Sequence, residues 1–162
     1  MAAEWALFSK STFASGVENT IAKDSSPLGV TSSFQHWDPY PISIVSAKGA
    51  WMTDVDGRQL LDLSMGFGAM LAGHLNEEVV AETKAALEGG TLFVTPSPIS
   101  RDGAERLCKR FGIEKVRFAN SGTEATMYAV RTAKAFTGKS AIVKLEGGYH
   151  GSYDPLTISA KP

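Results

Sequence analysis

Two short stretches of this chain combine residue types that could do chemistry: NSGTEA at 120–125 and EGGYHGS at 146–152. The first stands just ahead of a run with helical periodicity. The opening N–H groups of a helix have no intrahelical acceptor and lie at the positive end of its dipole, which suits a phosphate. Gly122 would let a ligand come close to the backbone, and the Ser121 and Thr123 hydroxyls add donors. The same letters, Ser121-x-x-Glu124, also spell a capping box that needs no ligand. The two readings are compatible, because Ser121 can cap while neighbouring amides hold an anion. In the second stretch Tyr149 offers a flat ring with a polar tip, and His150 offers a proton carrier near neutral pH. Alone, GGYHG reads as a turn. Together, the stretches read as one loop for a phosphate and one for an aromatic ring. No G-x-x-x-x-G-K-[ST] loop and no strand-borne G-x-G-x-x-G is present. The G-x-S-x-G elbow is missing too, which argues against Ser121 and His150 as a hydrolase pair.

The surrounding pattern must position these loops. Residues 116–119 read as a short strand and 121–136 as a helix with Ala125, Ala129, Val130, Ala133 and Phe136 on one face. Gly138 ends that helix, and 141–145 reads as a second buried strand. Strand, helix and strand of these lengths predict a βαβ unit with parallel strands and both loops at one edge. Upstream, residues 4–22 read as one amphipathic helix, followed by a Ser/Pro/Gly-rich loop from 24 to 41 that carries Phe34, His36, Trp37 and Tyr40. Residues 42–45, 50–53 and 60–63 form a β-meander with an Asp56-Gly57 turn. The glycine-punctuated stretch 65–73 ends at His74, read as a structural hydrogen-bonding residue. A helix capped by Asn76 buries Val79, Val80, Thr83, Ala86 and Leu87 and ends at Gly89-Gly90. Another runs from about 100 to 111 with Leu107, Cys108 and Phe111 inward.

Composition narrows the function classes. Sixteen Lys and Arg against 17 Asp and Glu leave no basic footprint for nucleic acid. One cysteine excludes an internal disulfide and a Cys-rich zinc module, and fits a reducing compartment. No apolar run approaches a membrane span, and the first 20 residues have neither a secretory nor a transit pattern. The expectation is a cytoplasmic chain that binds neither nucleic acid nor membrane.

From about Pro27 onward the chain resembles the fold-type I, class III pyridoxal-phosphate aminotransferases. Within them it is most similar to the glutamate-1-semialdehyde 2,1-aminomutases. The resemblance rests on GAWMTDVDGRQLLDL (49–63), GHLNEEVVAETKAAL (73–87) and EKVRFANSGTEATMYAVRTAKAFTGKSAIVKLEGGYHGSYD (114–154). It implies an α/β fold in which residues 1–75 form a small α+β N-terminal part and 76–162 begin the cofactor-binding large domain. It implies pyridoxal 5′-phosphate as cofactor, with Ser121, Gly122 and Thr123 at the phosphate, Tyr149 stacked on the ring and His150 beside it. Phe67 and Gln35 fall on the substrate side, for a small-molecule amine or amino acid. A homodimer is implied for the complete enzyme.

Two departures shape the expectation. The aminomutase motif P-G-G-V-N-S-P-V-R reads here PLGVTSSFQ, ending at Gln35 where the family's arginine is associated with a carboxylate. Phe67 stands where the aminomutases carry a tryptophan. Both point to a related transaminase with another amine or amino acid as substrate. The chemistry also needs a Schiff-base lysine and an acidic partner for the ring nitrogen, which the resemblance places beyond residue 162. None of Lys134, Lys139, Lys144 and Lys161 has that context, so no catalytic lysine is nominated. The expectation is part of a longer enzyme, inactive and aggregation-prone alone. The alternative is a non-catalytic remnant or interaction module.

Overall fold

A computed structural model of the chain describes residues 2–159. They divide into two compact units, residues 1–92 and 93–162.

The first unit opens with two helices, α1 (Ala2–Ser11) and α2 (Phe13–Ala22), where the periodicity alone predicted one. The break is Thr12, fully buried, with φ −128° and ψ 37°. Its hydroxyl lies 2.7 Å from the Phe8 carbonyl oxygen and 3.1 Å from the Tyr40 hydroxyl. Thr12 does not cap α2 with its side chain. Asp56, from the distant Asp-Gly turn, does so instead. Its carboxylate accepts the amides of Ala14 (2.7 Å) and Ser15 (3.1 Å) and the Ser15 hydroxyl (2.7 Å). Burial pushes the Asp56 carboxyl up, but the Ser15 hydroxyl, the two amides and the nearby Arg58 outweigh it and hold it below the ordinary range.

The meander is a three-stranded antiparallel sheet, β1 (Ile44–Lys48), β2 (Trp51–Asp54) and β3 (Gln59–Leu61), in that order. Asp54, 1% exposed, closes the β2–β3 turn by accepting the Arg58 amide and Nε, both at 2.7 Å. His74 is structural, as the sequence suggested. Its backbone exchanges two 2.8 Å hydrogen bonds with Gly49, and its Nε2 lies 2.7 Å from Asp62 Oδ2. Helix α3 (Glu77–Glu88) starts where expected, with the Asn76 side chain accepting the Val79 amide, and it clusters with this unit.

The second unit holds α4 (Pro98–Phe111), α5 (Gly122–Thr137) and the short α6 (Asp154–Thr157). Ser97 caps α4, and Gly112 ends it in a left-handed conformation. Ser121 caps α5, and Gly138 ends it in the same way. The expected parallel ladder between 116–119 and 141–145 is not formed among the described residues; the meander is the sheet they contain. Apolar patterning marks a segment as extended and fit for burial, but a strand exists only once a neighbour supplies ladder hydrogen bonds.

The apolar faces expected to be covered are present but not buried. Phe136 is 91% exposed, Val143 96%, and Val79, Leu87 and Phe111 are exposed as well. Leu156 is the buried hydrophobic residue among the described ones. Periodicity identifies the face that seeks cover; each unit here has too little apolar surface opposite those faces to supply it.

Candidate cofactor site

In the second unit, the α5 N-terminus and the loop 147–152 form one surface. The start of α5 is a reciprocal cap. The Ser121 hydroxyl oxygen accepts the Glu124 amide at 3.1 Å, and Glu124 Oε2 accepts the Asn120 amide at 2.8 Å. Tyr128 donates its hydroxyl to Glu124 Oε1 at 3.1 Å, so both oxygens of this carboxylate are engaged. The Ser121 carbonyl accepts the Ala125 amide. Among the described residues this leaves the amides of Gly122 and Thr123 without a protein acceptor.

The loop is fastened to this helix end. Thr123 Oγ1 accepts the Ser152 amide at 3.1 Å, and Thr126 Oγ1 donates to the His150 carbonyl at 2.7 Å. Between them Gly151 is buried, with φ +93°. A Cβ there would stand 2.6 Å from Thr123 Cα, so only glycine permits the approach. The loop's other end is tied by the Gly147 amide to the Ser159 carbonyl (2.7 Å). Lys144 Nζ steadies the following turn by donating to the carbonyls of Leu156 and Ile158.

The arrangement has a chemical consequence. Ser121 and Thr123 use their hydroxyl oxygens as acceptors toward the protein, which leaves each hydroxyl proton to donate outward. Gly122 has an ordinary φ, and a Cβ on it would meet nothing within 4 Å. Neither backbone strain nor protein packing accounts for a glycine there, and the space before the helix end is open. Two amides, two hydroxyl protons and a helix N-terminus beside open space fit a phosphate. Tyr149 and His150 are exposed on the loop, so a flat ligand can reach both. The structure thus brings Ser121, Gly122, Thr123, Tyr149 and His150 together in one unit. Sequence reasoning missed Thr126, although it lies one turn from Thr123 on the same face, and it did not single out Gly151.

Phe67 and Gln35 lie in the first unit. Phe67 has φ +57°, and its ring meets the edge of Phe34 with centroids 5.9 Å apart. Asp62 anchors the base of the Phe67 segment by accepting the amides of Ser64 (2.9 Å) and Met65 (2.8 Å). The His74 hydrogen bond, foremost, and these amides hold the Asp62 carboxyl below its ordinary range despite burial. Gln35 spends its amide oxygen on the Thr31 hydroxyl (2.9 Å) and amide (3.2 Å), leaving its NH2 as the free polar end. It borders an open cavity of about 850 Å3 whose walls include Phe8, Trp37, Tyr40, Met52 and Leu60. The preceding loop is held by Asn19, whose Nδ2 donates to the carbonyls of Leu28 and Gly29. Leu28 sits there at φ +60°, where the resembling motif carries glycine. Among the described residues no group of acidic, His and Cys side chains is arranged to hold a metal, and no helix is long and apolar enough to cross a membrane.

Comparison with known proteins adds a second line of evidence. The family model described as aminotransferase class-III matches residues 33–160. A glutamate-1-semialdehyde 2,1-aminomutase of Methanocorpusculum labreanum is 42% identical over 142 residues, covering 87% of this chain and 34% of its own length. A transaminase solved with PLP bound superposes with a TM-score of 0.88 at 37% identity, over 91% of this chain and 35% of its own. A β-phenylalanine aminotransferase of Variovorax paradoxus gives a TM-score of 0.89 at 32% identity, over 93% and 35%. The chain spans about a third of the length of the curated relatives it matches.

Proposed function

Because the chain belongs to the class-III aminotransferase family, we propose that residues 121–123 and 146–152 form the phosphate and ring sides of a pyridoxal 5′-phosphate site serving amino-group transfer. One observation supports this reading: Thr123 and Thr126 fasten the Tyr149–His150 loop beside two helix amides that have no protein acceptor among the described residues. When bound, the cofactor supplies an electron sink for the carbon that bears the amino group. The chain's part is to bind and orient. The amides of Gly122 and Thr123 and the hydroxyls of Ser121 and Thr123 would hold the phosphate. The Tyr149 ring would stack on the cofactor's ring, with the His150 imidazole beside it as a hydrogen-bonding group. Holding phosphate and ring from one surface would orient the bound cofactor.

On the substrate side, Phe67 and Gln35 offer an aromatic edge and a neutral amide. Gln35 presents NH2 rather than a charged fork, which supports an amine or amino acid recognised without an arginine clamp at this position. The reaction is a transamination or an aminomutase shift, in a cytoplasmic homodimer.

The test is titration with pyridoxamine 5′-phosphate, whose amine cannot condense with surface lysines, followed by its fluorescence. Saturable binding that inorganic phosphate competes away, and that Thr123→Val weakens, is the expected result. Absence of saturable binding, or binding indifferent to phosphate, overturns the assignment.

A further inference from the structure

Resting on the cofactor reading above, we infer that Thr126 is a positioning residue: its hydroxyl sets the Tyr149–His150 dipeptide over the ligand, separately from phosphate binding. The dipeptide lies between two glycines, Gly148 and Gly151, the residues with the widest backbone freedom. Downstream of Gly151 the loop is tied to α5 through the Ser152 amide and Thr123 Oγ1. That bond lies beyond Gly151 and acts on the segment that follows it. Thr126 grips the other side of Gly151, taking the His150 carbonyl at 2.7 Å.

The Thr126 hydroxyl has one proton and three carbonyls within reach. Those of Gly122 and Thr123, in its own helix, lie at 3.0 Å each, and that of His150 is nearest. A threonine inside a helix usually turns its proton back onto the preceding turn. Here the shortest contact goes to the loop. The two threonines, one helical turn apart, thus hold the peptide groups on either side of Gly151, one as acceptor and one as donor. The Thr126 bond acts on the part of the loop that carries Tyr149 and His150, and the Thr123 bond on the part beyond Gly151.

The expectation concerns two ligands. Thr126→Val keeps the side-chain shape and removes the proton. It should weaken pyridoxamine 5′-phosphate binding by about three- to tenfold, the size of one neutral hydrogen bond. It should leave inorganic phosphate binding unchanged, because the Gly122 and Thr123 amides are untouched. Thr126→Ser should restore the wild-type ratio of the two affinities. In the ligand-free chain, the backbone order parameters of Tyr149 and His150 should fall in Thr126→Val and return in Thr126→Ser. Equal loss of both ligands, loss of fold in Thr126→Val, or an unchanged ratio with unchanged order parameters would each overturn the inference. If the wild-type chain binds neither ligand, the cofactor assignment itself falls, while the order parameters still decide whether Thr126 holds the loop.

Discussion

Gly122 and Gly151 are both glycines of the proposed site, and the structure separates their roles sharply enough to test. Gly151→Ala places a Cβ against the backbone of Thr123, 2.6 Å from its Cα, at a residue with φ +93°. A side chain in left-handed backbone costs about 1–2 kcal/mol. Displacing packed atoms adds about 1–3 kcal/mol. Local opening of the loop should therefore become easier by about 2–5 kcal/mol. Since 1.4 kcal/mol is a factor of ten, the lower figure alone speeds exchange about thirtyfold, until protection is exhausted. The Ser152 amide, bonded to Thr123 Oγ1, reports this directly in hydrogen–deuterium exchange. Gly122→Ala is the counterpart. Its Cβ meets nothing, and alanine favours a helix over glycine by up to about 1 kcal/mol, so Ser152 exchange should stay as in the wild type. Its methyl would instead enter the space assigned to the phosphate and weaken pyridoxamine 5′-phosphate binding. Unaltered Ser152 exchange in Gly151→Ala would refute the close approach. Undiminished ligand affinity in Gly122→Ala would refute the placement of the phosphate.

Three further outcomes follow from the first unit. Leu28→Gly relieves a leucine held at φ +60° and should raise the urea midpoint, by up to about 1 kcal/mol in stability; a lower midpoint would contradict this. Asn19→Ala removes the donor to the Leu28 and Gly29 carbonyls from a buried site and should cost about 1–3 kcal/mol in the same assay, with no loss if the loop is not held this way. Asp62 has a folded-state pKa below its unfolded value, so the folded state binds fewer protons there. Its contribution is complete above the unfolded value and is lost as pH falls through the folded one. Unfolding measured from pH 7 downward should show this acid limb and Asp62→Asn should flatten it; equal slopes in both proteins would remove Asp62 as the cause.

The site was legible where its determinants were local. Ser121 and Glu124 are close enough along one turn to cap the same helix end, so their letters predicted the geometry that is found. Asn76 and Gly138 are similar, because a helix terminus is settled by residues within a turn of it. The break at Thr12 was not legible, because it depends on Tyr40 and on a carboxylate 42 residues from Ala14. The parallel pair was over-read from pattern. An alternating or apolar run shows that a segment will extend and seek cover, but pairing is a property of two segments and their register.

By itself, then, the sequence determined the family, the extents of α4 and α5 and the two loops that meet. Each is encoded in residue type and short-range spacing, through backbone freedom, capping and apolar period. Only the tertiary structure decided which atoms do the joining. Thr123 turns an acceptor to Ser152, Thr126 a donor to His150, Asp56 caps a helix far from it in the chain, and Gly122 faces open space. A hydroxyl is both donor and acceptor, and a carboxylate can accept from any direction. Their partners are chosen by proximity in three dimensions, which one-dimensional spacing does not contain.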